Sequence, residues 1–578
     1  MIERTARVLP AHPFATLAQY ESAGGGSGLD AARKLGADAV VEHVLAAGLR
    51  GRGGGGFPTG RKWEAVCAYE SSTFDATVVV NAAEGEPGSF KDRAILRRNP
   101  YAVLEGALIA AATVRAARIV VAIKNAFGRE AEIVERVIGE MREAGWLDVH
   151  DVICFRGPRE YLYGEETGLL EAIDGRPPFP RIAPPYRHGV EEISEDTRLN
   201  PARVVLATSA HETVAPPTLV NNVETLANVP GILANGPDWF REYGSPESPG
   251  TIVCTVSGST RRAGVAEVPM GTALGAVIDA VGGGARDGRR LTAAVSGVAN
   301  PVVTVDQFDV ALTYEAMQAI GSGLGAAGFI VFDDATDMTA VAHGVARFLS
   351  VESCGQCTPC KQDGLALAQH LDRIRRSDAR EDDLRAVDDR LRTVADSARC
   401  NLAMQQQLVV GSIVDRYRRD LHEHVTGARP GSDPYFVAAI SEIDNDVVDL
   451  DEHQRDKQPD WTFEPLDSGK TPVERLEVRD LTREQPSVPS HEKAPAPPPP
   501  PPHTAVQHPH EVPVTTIHGT PVDELDPDDP EAALYTSEPI DTDDGPVVIQ
   551  QQNVGRGSEE GGGEWPDPHT PPHPVEPD

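Results

Sequence analysis

Three cysteines within seven residues, followed by a fourth forty positions later, constrain this chain more than any other feature of its sequence. The spacing is Cys354-x2-Cys357-x2-Cys360, and the next cysteine is Cys400. A run of this kind places three thiolates on a tight loop, and four thiolates are what a cubane iron–sulfur cluster needs. Zinc also takes four thiolates, but structural zinc sites more often show two separate cysteine pairs. The spacing therefore favours a [4Fe-4S] cluster, with zinc as the alternative.

The remaining cysteines carry no comparable pattern. Cys67, Cys154 and Cys254 stand singly in apolar runs, which is typical of buried free thiols. Evenly spread disulfides would not group three cysteines so closely, so the sequence does not indicate a disulfide framework.

The charge of the chain is concentrated in its tail. The 578 residues carry a formal net charge of -35, and residues 431–578 alone contain 33 acidic and 8 basic side chains. A basic stripe that could grip a phosphate backbone is not visible, which argues against a nucleic-acid partner. The tail also contains a polyproline run at 494–503 and blocks such as DELDPDDP. Such composition buries too little apolar surface to offset ordering entropy, so we expect residues 431–578 to be disordered.

Neither a targeting segment nor a membrane span is predicted. The opening residues lack a continuous apolar stretch after their charges. The most apolar region, Val103 to Ile123, is interrupted by Glu105, Arg115 and Arg118, which indicates a buried helix and strand. We expect a cytoplasmic protein that meets the inner face of a membrane only through partner subunits.

Hydrophobic periodicity divides the chain into several regions. Residues 101–143 alternate helix and strand patterns as in a βα architecture, and Thr77–Val80 is a buried strand. Short β-type runs at 251–256, 291–298 and 328–332 surround one helical stretch at 273–281. The predicted regions are a loose lead-in at 1–30, an α/β domain at 31–240, a small α+β module at 250–333, a helical bundle at 335–428 and the tail.

A long glycine loop follows the first predicted helix of the α/β domain. Gly51, Gly53 and Gly56 match the GxGxxG pattern, but the dinucleotide-binding version requires a strand before the loop, and here a helix precedes it. Glycines still allow backbone N–H groups to approach a phosphate or a flat ring closely. Arginine and lysine side chains flank the loop at Arg50, Arg52, Arg61 and Lys62, and they suit an anionic ligand.

Several long motifs, in a fixed order, resemble those of the NADH-binding flavoprotein subunit of respiratory complex I. Related diaphorase subunits of NAD-linked hydrogenases and formate dehydrogenases share the resemblance, which covers roughly residues 35–425 and leaves the tail outside. The motifs are GLRGRGGGGFPTGRKW at 48–63, VNAAEGEPGSFKDR at 80–93, YLYGEET at 161–167, TLVNNVET at 218–225, SGLG at 322–325 and ESCGQCTPC at 352–360.

The resemblance implies an α/β flavin-binding domain, a ubiquitin-like β-grasp module of the SLBB type and a C-terminal four-helix bundle holding the cluster. FMN would accept a hydride from NADH and pass single electrons to the [4Fe-4S] cluster, so no general base is expected. The positions implied to surround FMN are Gly51, Arg52, Gly53, Gly54, Gly56, Lys62, Asn81, Glu84, Gly164, Glu165, Asn221, Asn222 and Thr225. Those implied to lie along NAD(H) are Phe57, Glu86, Glu166 and Tyr186.

Four positions depart from the family pattern. Ala83 stands where the family usually has Asp, Ala183 replaces a usual Lys, Tyr163 replaces a usual Cys, and Ala65 replaces a frequent aromatic residue. The cluster ligands are complete. The alternatives are therefore a ferredoxin-coupled or electron-bifurcating subunit, a hydrogenase or formate dehydrogenase diaphorase, and a scaffold that keeps the cluster but has lost NADH binding.

The resemblance also implies partner subunits. A thioredoxin-like module with its own four cysteines, which some fused relatives carry, is absent from this sequence. A separate [2Fe-2S] thioredoxin-like subunit and a downstream iron–sulfur subunit are therefore expected as partners.

Overall fold

A parallel sheet organises the first part of the chain. The computed structural model describes residues 5–69, 75–190 and 217–459, with strand fragments at 516–517, 520–521, 540–542 and 545–547. Its strands are β1 (Ala76–Ala82), β2 (Ala116–Lys124), β3 (Asp151–Gly157) and β4 (Thr218–Asn222). They are all parallel, in the order β3-β2-β1-β4. Val78, Val79 and Val80 are fully buried, which confirms the predicted strand at Thr77–Val80.

Ten helices surround this sheet in the described residues. The predicted alternation over 101–143 is confirmed, because a helix, strand β2 and a second helix follow one another there. The helices are α1 (Leu17–Ser22), α2 (Ser27–Leu35), α3 (Ala37–Ala47), α4 (Thr59–Ala68), α5 (Lys91–Arg98), α6 (Pro100–Thr113), α7 (Gly128–Glu143), α8 (Glu166–Ile173), α9 (Val223–Asn235) and α10 (Pro237–Arg241).

The N-terminal residues are not a loose lead-in, so that prediction is wrong for residues 5–30. The cause is the buried carboxylate of Glu105 on α6. It accepts hydrogen bonds from the Tyr20 hydroxyl at 2.7 Å, from the Gly26 N–H at 2.8 Å and from the Leu29 N–H at 2.9 Å. The glycine-rich stretch thus becomes the start of α2, because a distant acidic side chain satisfies the free N–H groups of its first turn.

A mixed five-stranded sheet forms the second part. Its strands are β5 (Thr251–Gly258), β6 (Gly264–Pro269), β7 (Leu291–Ser296), β8 (Val303–Thr304) and β9 (Gly328–Asp333), and its helices are α11 (Leu274–Gly282) and α12 (Tyr314–Ala319). The strand order is β6-β5-β9-β7-β8, with only the β5–β9 pair parallel. The predicted strand runs and the predicted helix at 273–281 are confirmed.

Helices dominate the third part, as the sequence predicts. They are α13 (Met338–Glu352), α14 (Thr358–Arg375), α15 (Glu381–Thr393), α16 (Asn401–Gln405), a π-helical turn (Gln406–Val410), α17 (Gly411–Arg416) and α18 (Arg418–Val425). Leu349, Leu367, Leu371 and Ile413 are fully buried between them. Within the described ranges, no helix combines the length and apolar character needed to cross a membrane.

Residues 431–459, named here the C-terminal segment, are ordered, so the predicted tail does not begin at 431. They form the hairpin β10 (Ile440–Asp444) and β11 (Val447–Leu450), followed by α19 (His453–Asp456). The turn residues Asn445 and Asp446 have φ values of 47° and 67°, the positive values that a tight hairpin turn requires. Ile440 is 1% exposed within the core of the α/β part.

The chain divides into two units, residues 1–486 and 487–578. The second contains the strand pairs β12 (Thr516–Ile517) with β13 (Thr520–Pro521) and β14 (Ile540–Thr542) with β15 (Gly545–Val547). The rest of the predicted disordered tail lies outside the described residues.

Candidate functional site

The two asparagine motifs meet at the carboxyl edge of the parallel sheet. Asn81 near the end of β1 pairs in register with Asn222 at the end of β4. Open parallel sheets bind ligands in the crevice outside the carboxyl ends of their strands. The motifs at 80–93 and 218–225 therefore flank one crevice.

The glycine loop lies against this edge. Gly54 and Gly56 have φ values of 120° and 61°, which side chains disfavour. A Cβ on Gly56 would lie 2.5 Å from the Tyr314 ring, and a Cβ on Gly53 would lie 3.3 Å from the Cβ of Asn222. The loop thus approaches β4 and α12 with its bare backbone, and a backbone without side chains can also come close to a flat or anionic ligand.

Arg52 points into the protein, although its residue type had suggested a ligand contact. Its side chain is 2% exposed and donates to the Pro249 carbonyl at 3.1 Å, while its backbone N–H donates to Thr225 Oγ1 at 2.8 Å. Arg52 and Thr225 therefore fasten the loop to α9.

Three further contacts bring the predicted flavin residues together. Lys62 on α4 forms an ion pair with Glu166, the first residue of α8. Asn81 Nδ2 donates to the Gly164 carbonyl at 2.9 Å. Trp63 Nε1 donates to Asn221 Oδ1 at 2.8 Å. All four motifs around the crevice are thus joined by side-chain hydrogen bonds.

Two of the predicted carboxylates have internal partners. Glu84 is buried, pairs with Arg93 at 3.0 Å and accepts a hydrogen bond from Ser89 Oγ at 2.6 Å. Burial would raise the pKa of Glu84, but the Arg93 and Lys91 cations hold it below its ordinary value. Glu165 caps α8 by accepting the N–H groups of the next turn, and burial raises its pKa. Both carboxylates hold nearby backbone segments in place, and these segments form part of the crevice.

A buried charge cluster beside Asn222 was not predicted from the sequence. Lys91 Nζ lies 2.6 Å from Asp92 Oδ1, 3.1 Å from Glu224 Oε2 and 3.0 Å from Asn222 Oδ1. Burial raises the pKa of Asp92 to about 6. Lys91 and Asp92 stand inside the motif at 80–93, but nothing in the sequence indicates that Glu224 comes close to them.

The residues predicted to lie along NAD(H) differ from one another in exposure and in their contacts. Phe57 is 59% exposed at the loop, and Tyr186 packs against Tyr69 with ring centroids 5.1 Å apart. Glu86 is enclosed instead. It accepts a hydrogen bond from the Tyr161 hydroxyl at 2.5 Å and another from the Val298 N–H at 2.6 Å. Burial raises the pKa of Glu86 to about 7, against the effect of both hydrogen bonds.

The raised pKa of Glu86 predicts a specific pH dependence. A carboxyl whose pKa is higher in the folded state stabilises the fold at low pH and loses that contribution as pH rises through the folded pKa. Between pH 4.5 and 7 the loss amounts to about 3 kcal/mol. We therefore expect the thermal stability of Glu86→Gln, relative to the unchanged protein, to increase across this range. Calorimetry of the two proteins at matched pH values measures the difference in thermal stability. A difference that does not change with pH would contradict the raised pKa of Glu86.

One of the departures from the family pattern, Tyr163, has a structural explanation. Tyr163 is fully buried, and a Cβ on Gly157 would lie 2.2 Å from its ring, so the small glycine accommodates the large ring. Ala83 is 1% exposed, and its N–H donates to Asn81 Oδ1 at 3.2 Å. The Asn81 side chain is thereby oriented by the backbone at this position. Nothing in the structure explains the alanines at 65, 83 and 183.

The four motif cysteines line one cavity. Cys357 caps the N-terminus of α14, Cys360 lies in its first turn, and Cys400 caps the N-terminus of α16. Leu162 and Pro180 from the α/β part line the same cavity. The four motif cysteines are free thiols. Because helix N-termini favour negative charge, the site suits an anionic cluster.

Zinc and a cubane cluster both take four thiolates, but they hold the sulfurs at different separations. A tetrahedral zinc site holds its sulfurs about 3.8 Å apart, because each Zn–S bond is about 2.3 Å. In a cubane each thiolate binds its own iron, so the four sulfurs are farther apart around one cavity. The four cysteines that line this cavity supply the number of thiolates that a cubane needs.

Hydrogen-bond donors surround the cysteine sulfurs. The Arg399 N–H lies 3.4 Å from Cys357 Sγ, and Ser353 Oγ lies 3.2 Å from Cys360 Sγ. Burial raises the pKa of the Cys360 thiol and that of Cys400, the latter to about 12. A positive metal centre would be needed to hold such thiols as thiolates, which is what an iron cluster supplies.

Comparison with known protein families matches both halves of this site. The Nuo51 FMN-binding domain matches residues 44–231, and the NADH-ubiquinone oxidoreductase-F iron-sulfur binding region matches residues 340–424. Both the glycine loop and the four cysteines lie inside the matched ranges.

Curated relatives match over most of their own length. The F 2 subunit of the NADH-quinone oxidoreductase of Rhizobium meliloti is 33% identical over 423 residues, covering 72% of this chain and 95% of the relative. The F subunit of the Streptomyces coelicolor enzyme is 33% identical, covering 72% and 90%. The mitochondrial NADH dehydrogenase [ubiquinone] flavoprotein 1 of Dictyostelium discoideum is 33% identical, covering 68% and 79%.

Solved structures give a similar result. An NAD+-reducing [NiFe]-hydrogenase in the H2-reduced state is 29% identical with a TM-score of 0.60, covering 72% of this chain and 67% of that one. The air-oxidised state of an NAD+-reducing [NiFe]-hydrogenase gives a TM-score of 0.58 at 28% identity, covering 74% and 69%.

Proposed function

This chain belongs to the family of NADH-quinone oxidoreductase F subunits, and we propose how its own residues serve that family's reaction. The protein is an NADH dehydrogenase flavoprotein that works within a multisubunit redox complex. When bound, FMN supplies two-electron acceptance from NADH and one-electron delivery to the [4Fe-4S] cluster. The protein's part is to position the two cofactors and the nucleotide, and to exclude water.

The glycine loop and Lys62 would hold the flavin at the carboxyl edge of the parallel sheet. Gly53, Gly54 and Gly56 offer backbone N–H groups at close range, because side chains there would collide or be strained. The Lys62 ammonium would meet the anionic part of the ligand, and Asn81 and Asn222 would line the opposite side of the crevice. Glu84 and Glu165 would act through the backbone they fix.

The nucleotide would lie over the exposed face of the same crevice. Phe57 offers an aromatic face that suits a planar base, and it is 59% exposed before any ligand binds. Glu86 and Glu166 would accept hydrogen bonds from ribose hydroxyls and repel the additional phosphate of NADPH. Tyr186 would lie alongside the nucleotide.

Cys354, Cys357, Cys360 and Cys400 would carry the cluster at the boundary between the helical part and the α/β part. Leu162 lines the cysteine cavity, while Gly164, two residues later, is bonded to Asn81 at the crevice. This short connection is the observation that carries the proposal, because a cluster bound in the cysteine cavity would lie within a few residues of the flavin crevice.

We also propose the type of the second domain and the partner subunits from the family relationship. The mixed sheet β6-β5-β9-β7-β8 with α11 would be the β-grasp module of the SLBB type, and a separate [2Fe-2S] subunit and a downstream iron–sulfur subunit would be the partners. The cytoplasmic location and the disordered character of the tail beyond 459 remain predictions.

Anaerobic titration of the purified, FMN-loaded protein with NADH tests the proposal. We expect the visible absorption band of oxidised flavin to bleach with NADH but much less with NADPH, and the reduced protein to show a cluster EPR signal with about four iron atoms per chain. A full cluster with an unchanged flavin band would instead indicate a scaffold that has lost nucleotide binding. Stoichiometric zinc without iron would contradict the cluster.

A further inference from the structure

The C-terminal segment reaches the loop that carries the cluster cysteines. Its residues lie beyond the ranges that the family models match, which end at 424. Arg347 on α13 donates to the carbonyls of Gln454 at 3.1 Å and of Arg455 at 2.7 Å. Arg97 on α5 forms an ion pair with Glu442 in the hairpin. The segment is thus tied to both the helical part and the α/β part.

Lys457, near the end of this segment, is buried against Glu352. Its Nζ lies 2.8 and 2.9 Å from the two carboxylate oxygens of Glu352, and the residue is 7% exposed. Burial would lower the pKa of Lys457, but the Glu352 and Glu160 carboxylates raise it above its ordinary value. The ammonium therefore stays charged in the interior.

Glu352 connects three parts of the site. It is the last residue of α13 and stands two positions before Cys354. Its Oε2 also accepts the backbone N–H of Tyr161 at 3.0 Å. The Tyr161 hydroxyl in turn donates to Glu86, the predicted nucleotide carboxylate. One buried carboxylate thus joins the C-terminal segment, the cysteine loop and the nucleotide side of the crevice.

We propose that Lys457 is a positioning residue of the electron-transfer site, which holds Glu352 between the cysteine loop and Tyr161 and neutralises its charge beside the cluster. The proposal rests on the proposed function, because it assumes a cluster on the four cysteines. Replacing Lys457 by a neutral residue would remove a buried positive charge from the two oxygens of Glu352, close to Cys354. Added negative charge disfavours the reduced, more negative state of the cluster, since an uncompensated charge in the interior acts strongly at short range.

Redox titration of the cluster EPR signal in the full-length FMN-loaded protein tests this proposal with charge-paired variants. For Lys457→Met we expect the ratio of reduced to oxidised cluster at a fixed potential to fall about tenfold, which is about 59 mV for one electron. Glu352→Gln should shift the midpoint in the opposite direction, and the double variant should return towards the unchanged protein. Lys457→Arg keeps the charge and should remain close to it.

Arg455→Met is the matched control, because Arg455 lies in the same segment with its side chain 54% exposed and paired with Glu452. Its cluster potential should not change.

If Lys457→Met retains full iron and an unchanged midpoint, the proposal is overturned. Loss of iron in Lys457→Met that both Lys457→Arg and the double variant restore supports it. If every variant, including Lys457→Arg, loses iron equally, the role is purely structural and the proposal fails. A complete absence of cluster signal in the unchanged protein would instead refute the proposed function itself.

Discussion

Cys400→Ser should leave the reduced protein with less than about a tenth of its [4Fe-4S] EPR signal, while the flavin remains bound. Cys400 is the N-cap residue of α16 and the one predicted ligand that comes from outside the run at 354–360. A cubane that loses one of its four thiolates is exposed at one iron, and serine is a poor replacement for a soft ligand. EPR and iron analysis of the anaerobically purified variant, together with its flavin content, measure the effect.

Cys67→Ser provides the control for this result. Cys67 lies on α4 in the α/β part, outside the cavity that the four motif cysteines line. Its replacement should leave iron content and the EPR signal unchanged. A Cys400→Ser protein with four irons and a normal signal would show that the fourth ligand has been misassigned, and an equal loss in Cys67→Ser would point to general destabilisation.

The elements with strong local patterns were predictable from the sequence. The β-branched run at Thr77–Val80 becomes a central strand, because β-branched residues suit a strand that is buried on both faces. The helical pattern over 335–425 likewise becomes a set of helices. The cysteine spacing indicated one shared site, and the four side chains do line one cavity.

The elements that were missed depend on distant partners. The glycine-rich N-terminal stretch is ordered by Glu105, which lies 79 positions from the Gly26 N–H that it accepts. The hairpin of the C-terminal segment stands in a highly acidic sequence, whose composition outweighed the turn signal of Asn445 and Asp446. In both cases composition described the local chain correctly, but a tertiary hydrogen bond or a tight turn decided its structure.

The same limit applies to the site. Lys457 and Glu352 are 105 positions apart, and the sequence alone gives no reason to pair them. The motif residues were identified because their order along the chain resembles that of the family. Their side chains nevertheless make two different kinds of contact. Asn81 and Lys62 face other crevice motifs, whereas Arg52 and Glu84 are occupied by internal partners. A motif identifies a position, and only the fold shows whether its side chain is free to meet a ligand.

Lys91→Met should destabilise the protein by about 3–5 kcal/mol and weaken flavin binding. The Lys91 ammonium is 1% exposed and pairs with Asp92 and Glu224, so its removal leaves buried carboxylates without their cation. Glu224 Oε1 also accepts the Val253 N–H at 2.9 Å, which joins α9 to β5 of the second sheet. Removal of the Lys91 ammonium should therefore disturb both sheets and the position of Asn222 at the crevice. Denaturant unfolding and FMN titration measure the two effects.

The pH dependence of this loss distinguishes charge burial from a simple packing defect. Burial already raises the pKa of Asp92, and the Lys91 cation works against that rise. Without Lys91 the pKa of Asp92 is higher still in the folded protein, so the variant takes up a proton and gains stability as pH falls. We expect the destabilisation of Lys91→Met to be clearly smaller at pH 5 than at pH 8. Arg98→Met on the same helix, where Arg98 is exposed, should change stability by less than about 0.5 kcal/mol at both values. A Lys91→Met penalty that is equal at the two pH values would mean that lost packing, and not uncompensated charge, causes it.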